Sequence, residues 1–193
     1  MRGNLFPFGL VTVSLFLGSA IGAAQEKKDT PQARGQFALP GEVHKQLAKQ
    51  VGEYTTHSKM MLKPGAPGEE TTGTSRIIAV LGGRFLQQED AGTMLGQPFT
   101  SIHLDGYDNA TKKYQANWVY TGSTGMMSLT GTSKDGGKTI EYAATFENEQ
   151  GTKETMTVTT RIIDDDHFVI ELTAKTPDGG KGPTLETTYT RKK

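Results

Sequence analysis

The sequence predicts an all-β protein: a single closed, up-and-down antiparallel barrel of about ten strands, preceded by one short helix. Three observations predict it. Ten segments of strand length alternate polar and apolar residues from Gly52 to the end of the chain. Nearly every gap between them carries turn residues, among them Pro64-Gly-Ala-Pro-Gly68, Asp108-Asn109, Asp135-Gly-Gly137 and Asp164-Asp-Asp166. Short turns join neighbours into hairpins, and a long meander exposes two edges unless it closes on itself.

The helix comes first. Val43, Leu47 and Val51 recur at four-residue spacing, with Pro40 ahead to favour a start and Gly52 behind to favour an end. His44 falls on the polar side of that pattern. From Gly52 the period changes to two. The strands predicted are 54–62, 71–80, 85–91, 99–107, 114–121, 126–133, 139–146, 154–163, 168–176 and 184–191.

One hairpin fixes its own register. The loop between Tyr107 and Tyr114 holds an even number of residues, so these two tyrosines face each other. Counting back pairs Asp105 with Ala116, His103 with Trp118 and Ser101 with Tyr120 on one face. Leu104, Ile102, Asn117 and Val119 take the other. The aromatic face is bulkier and is expected inside.

Bulk properties exclude several classes. The chain has 193 residues, enough for one domain, and 21 basic residues balance 21 acidic ones. Without a basic field, nucleic-acid binding is not expected. Cysteine is absent, which excludes disulfides, thiolate chemistry and lipid attachment through an N-terminal Cys.

Residues 1–24 read as a secretory signal: Met1-Arg2, an apolar run from Leu5 to Leu17, then small residues up to Ala24. The run is too short for the ~20 residues a bilayer span needs. Cleavage would leave no membrane span and a periplasmic or extracellular protein. Residues 25–40 read as a flexible linker, and residues 41–193 as the barrel domain.

Leu81-Gly-Gly-Arg-Phe-Leu86, Gly106-Tyr-Asp-Asn-Ala-Thr-Lys-Lys-Tyr114, Arg161-Ile-Ile-Asp-Asp-Asp-His167 and the closing Thr188-Tyr-Thr-Arg-Lys192 carry a family resemblance. With Gly96-Gln-Pro-Phe99 and Gly125-Met-Met127, they resemble the secreted bacterial family catalogued as domain of unknown function 1579. That family brings no catalytic residues. A more distant similarity is to the calycins, which include lipocalins, fatty-acid-binding proteins and nitrobindins. It rests on the short helix, on Gly52-Glu53-Tyr54 in place of a Gly-x-Trp, and on Arg191 near the last strand. The resemblance implies that Tyr54 and Arg191 close the barrel base, a guanidinium against a ring. It also implies a lipocalin-like interior able to hold one small ligand.

Among polar constellations, the four histidines share no metal-ligand spacing, so neither a metal nor a cofactor is expected. A nitrobindin-like haem would need a lone histidine, and no further pattern supports one. Asp164-Asp-Asp166 lacks the spacing of a calcium loop and reads as a turn. The Gly-rich stretch 131–139 leads into a strand, not the helix a phosphate loop requires. Arg76, Arg84 and Arg161 are expected to point outward. Adjacent methionines alternate faces, so no continuous methionine pocket is expected.

The candidate ligand-binding residues are His103, Asp105, Trp118 and Tyr120, with no catalytic set. The leading expectation is an exported barrel that binds a small, partly apolar molecule. One alternative is an enzyme using His103 and Asp105 as an acid–base pair. Another is an envelope barrel filled by its own side chains that docks a partner.

Overall fold

The computed structural model describes residue 35 and residues 37–147, 151–176 and 179–193. The proposed signal segment and most of the linker lie outside these residues. Helix α1 spans Glu42–Ala48 and ten strands follow: β1 Gly52–Met61, β2 Glu69–Val80, β3 Phe85–Met94, β4 Gln97–Asp108 and β5 Lys113–Tyr120, then β6 Met127–Thr132, β7 Thr139–Glu147, β8 Lys153–Ile162, β9 His167–Lys175 and β10 Lys181–Arg191. Each strand pairs antiparallel with its neighbours in sequence, and β1 pairs with β10, so the sheet closes. Among the described residues, the ten strands and the short helix α1 match the expected architecture, with boundaries shifted by a few residues.

Side-chain alternation then sorts the residues. Tyr54, Ile77, Leu86, Tyr114, Ala116, Leu129, Ile140, Tyr142, Met156, Phe168 and Tyr189 point inward and are buried. Arg76 is exposed, and Arg161 pairs on the outer face with Glu171 at 3.0 Å and Glu186 at 3.7 Å. Thin strands with one apolar face suit this arrangement, because only the lumen is removed from water.

Turn chemistry follows the aspartates. Asp108 accepts from the Ala110 amide and the Thr111 hydroxyl at 2.8 and 2.7 Å, Asp135 from the Thr139 amide and the Ser133 hydroxyl, both at 2.8 Å, and Asp164 from the Asp166 amide at 2.8 Å. Each carboxylate closes its own hairpin, as expected of short polar side chains in turns. The β3–β4 turn differs. Leu95 and Gly96 sit at φ +51° and +72°, a two-residue hairpin of the kind that matches strand twist. Leucine rarely adopts that conformation, and the strand before this turn accordingly runs on to Met94 instead of stopping at Ala91.

One end of the barrel is closed. Arg191 donates to the carbonyls of Val51, Lys49 and Asp165 at 2.6, 2.8 and 3.1 Å, and its guanidinium lies 4.9 Å from the Tyr54 ring centroid. Gly52 leaves room for it, since a Cβ there would collide with the Arg191 guanidinium. Inside, Phe168 and Tyr189 stack at 4.2 Å with Tyr54 edge-on to both, which fills that end on the β1, β9 and β10 side.

Helix α1 covers the same end. His44 departs from expectation: it is only 6% exposed, where the helical pattern puts it on a polar side. The helix docks across the barrel end, so its lower face meets β3 and β4, and His44 meets Tyr107 edge-on at 6.0 Å. Its Nδ1 also accepts from the Gly41 amide at 3.1 Å, capping the helix start. Val51 follows the helix and is 38% exposed, although the four-residue pattern includes it.

The end of the predicted linker is tied down. Asn109 Nδ2 donates to the Phe37 and Leu39 carbonyls at 3.1 and 2.9 Å, and Arg84 Nε donates to the Ala38 carbonyl at 2.9 Å. These bonds tie residues 37–39 to the barrel. Arg84 points outward as expected and serves this strap.

Candidate functional site

The lumen is not filled. A cavity of about 140 Å³ lies inside, reaching from beneath Leu47 and Ile140 toward Met60, Met94 and Leu95 at the end away from the helix. That volume is close to the ~150 Å³ apolar cavity that accommodates benzene in other proteins. One ring-sized group fits.

The hairpin register places the polar residues. Across β4 and β5, Asp105 pairs with Ala116, His103 with Trp118 and Ser101 with Tyr120, as counted from the Tyr107–Tyr114 pair. The face lies inward as expected, and His103, Asp105 and Trp118 line the cavity. The His103 ring stacks on the Trp118 ring at 5.4 Å and 18° from parallel. Tyr120 does not line the cavity; it stacks behind Trp118 at 4.7 Å and bridges toward Phe99 at 6.0 Å. Tyr120 thus orients the indole instead of offering its own face. Trp118 Nε1 is buried without an acceptor.

A residue that sequence reasoning missed completes the cluster. Asp90 on β3 lies opposite Ser101 on β4 and opposite Ser75 on β2. It faces His103 Nε2 at 3.3 Å, accepts from the Ser101 hydroxyl at 3.1 Å, and accepts from Gln88 Nε2 at 2.9 Å. Gln88 Nε2 also donates to the Tyr189 hydroxyl at 3.1 Å, linking the cluster to the closed end. The expected His103/Asp105 pair is therefore not formed: among the described residues the carboxylate partner of His103 is Asp90. Strand alternation explains it, because Asp90 comes from the neighbouring strand at hydrogen-bonding spacing, while Asp105 lies two residues along the strand that carries His103.

The two carboxyls behave oppositely. Burial pushes Asp90 upward, but the hydrogen bond and charge of His103, with Ser75 and Gln88 beside it, outweigh burial and hold it below the usual range. Asp105 has no hydrogen-bond partner among the described contacts. Burial raises it to about 6, against the pull of His103, and the charge of Asp90 adds to the rise. The hydroxyls of Tyr142 and Tyr189 are pushed well above their ordinary range, mainly by burial and then by these carboxylates.

The same register could have revealed Asp90. A two-residue turn at Leu95-Gly96 pairs Met94 with Gln97, and counting back brings Asp90 to Ser101 on the inner face. The signal is weak because leucine is an unusual residue for such a turn.

Elsewhere, His57 faces outward toward Glu70 at 3.5 Å, and His167 caps its turn with Asp164 at 2.8 Å. Among the described residues no group of three or more His, Cys, Asp or Glu side chains is placed to hold a metal ion.

Residues 39–191 match the family described as "Protein of unknown function (DUF1579)". The chain belongs to that family. As a DUF1579 protein it has no match among the curated proteins. Its barrel is similar to the crystal structure of Rv2717c from M. tuberculosis, with 13% identity, a TM-score of 0.56, and coverage of 79% of this chain and 99% of that one. It is also similar to the S-type phycobiliprotein lyase CPES from Guillardia theta, with 11% identity, a TM-score of 0.52, and coverage of 78% and 93%. At these identities the likeness is one of fold alone.

Proposed function

We propose that this DUF1579 protein is an exported barrel that binds a small, partly apolar molecule in its lumen. The observation that carries the reading is the cavity of about 140 Å³ with the stacked His103 and Trp118 on its wall and an unpartnered Asp105 in it. Apolar side chains with a few converging polar groups are the usual composition of a small-molecule site. Export rests on the Met1–Ala24 pattern of basic, apolar and small residues. Among the described residues no helix is long and apolar enough to cross a membrane.

An acid–base role has one observation in its favour: a carboxyl that titrates near 6 in a cavity suits proton transfer near neutral pH. That role would fall to Asp105 without His103 as its hydrogen-bonded partner.

Native mass spectrometry of the protein purified gently from its own envelope fraction tests binding, and N-terminal sequencing of the same sample tests export. A reproducible added mass and a first residue at Gln25 are expected. A clean apo mass with Met1 retained would count against both parts.

A further inference from the structure

The charges around the lumen are one-sided. Its described lining includes Asp90 and Asp105 deep inside and Glu69 near the open end, and it contains no lysine or arginine. His103 is the one lining side chain able to carry positive charge, and it already faces Asp90 at 3.3 Å. With His103 charged, the deep pair of carboxylates still outnumbers it. With His103 neutral, nothing opposes them.

One polar group in this sector also lacks a partner: Asp105 has no hydrogen bond among the described contacts. Buried polar groups without partners are uncommon, and a lone acceptor carboxylate is satisfied by a donor or by a positive charge. Beside it the wall is aromatic: Trp118 stacks with His103 at 5.4 Å and with Tyr120 at 4.7 Å. Ring edges left open by such stacking take a further ring edge-to-face.

Resting on the lumen-binding reading above, we infer that the ligand is a cationic, ring-bearing molecule, such as a primary amine on a small aromatic group, with its charged end at Asp105 and its ring beside Trp118. Anionic ligands are disfavoured by the same field. In a cavity screened from water, like charges repel strongly, and no guanidinium or ammonium lines the lumen to receive a carboxylate or phosphate. The size fits: a six-membered ring with a one-carbon amine arm fills most of the available volume.

Titration adds a direction. Asp105 becomes neutral as pH falls through about 6, so attraction for a cation weakens in acid. The groups that face this region are Asp90 and Gln88 from β3, His103 from β4, Tyr142 from β7 and Tyr189 from β10.

The chain has a single tryptophan, Trp118, so its fluorescence reports on the lumen alone. The experiment titrates the full mature chain with three probes of matched shape: benzylamine, benzyl alcohol and benzoate. Near neutral pH, benzylamine is expected to bind at least about tenfold more tightly than benzoate. That preference should collapse in Asp105→Asn and on acidification to about pH 5. Equal binding of all three probes, or tighter binding of benzoate, overturns charge selection and leaves lumen binding standing. No response to any probe, in protein whose circular dichroism shows the folded barrel, overturns both. The wild-type comparison decides the matter even where Asp105→Asn fails to fold.

Discussion

His103 lies flat against Trp118, ring centroids 5.4 Å apart, while its Nε2 faces the Asp90 carboxylate at 3.3 Å. One side chain thus joins the aromatic wall to the acidic floor of the lumen. The stack fixes the plane of the imidazole, and Asp90 fixes which edge turns inward. Asp105, two residues along the same strand, is left free of that pairing.

Asp105 should cost the fold stability near neutral pH. Its folded value of about 6 lies above the ordinary 3.8, so the folded state holds the proton more tightly than the unfolded chain. The stabilisation from the retained proton is full below about pH 4 and is lost as pH rises through about 6. Asp105→Asn is therefore expected to gain about 1–3 kcal/mol over wild type at pH 7.5 and almost nothing at pH 4. Urea melts at the two pH values measure it. A variant less stable than wild type at pH 7.5 would contradict the assignment.

Arg191 should be worth more than its position at the chain end suggests. It binds three backbone carbonyls and covers Tyr54. Arg191→Ala should lose about 2–4 kcal/mol, since each charged hydrogen bond contributes about 1.5–3 kcal/mol at most and the losses overlap. Arg191→Lys should recover less than half, because an ammonium lacks the planar fork. Thermal melts that place the lysine variant beside wild type would argue against the fork.

Gly52→Ala probes the same closure from the other side. The added methyl meets the Arg191 guanidinium, which must move off its carbonyls or push the strand aside. A loss of about 1–3 kcal/mol is expected in denaturant unfolding, and it should shrink sharply in an Arg191→Ala background. Additive losses would show that the two residues are not coupled.

Trp118→Leu should separate binding from folding. The leucine keeps an apolar wall but removes the surface on which His103 and Tyr120 stack. Stability should fall by about 1–3 kcal/mol. Calorimetric affinity for a ring-bearing probe should fall about tenfold or more. Unchanged affinity would place the ligand elsewhere.

Asn109→Ala should release residues 37–40 from the barrel end. With both carbonyl bonds gone, amide exchange and proteolysis there should rise several-fold while global stability drops by less than about 1 kcal/mol. No change in exchange would show that Arg84 alone holds the strap.

Strand identity was legible because it is local. A period of two, interrupted by aspartate and glycine turns, specifies hairpins with no knowledge of distant residues, and the Tyr107–Tyr114 loop carries its own register to His103 and Trp118. The match of Gly52, Tyr54 and Arg191 to a barrel-base pattern was legible for the same reason, as residue types at fixed points on the first and last strands. Asp90 was not. Its place depends on a turn built on Leu95 at φ +51°, a conformation that residue type does not announce. The partner of His103 followed from that unread register.

The sequence by itself therefore determined the ten strands, their order, the closure and the inward aromatic face, since neighbouring hairpins and alternation dictate these step by step. Only the tertiary structure decided that His44 is buried under the helix, that Asp90 holds His103, and that Asp105 stands alone in a hollow. Those outcomes depend on how strands distant in the chain curl around a shared lumen. There the loss of water, not residue identity, sets which charges are paired and which stand alone.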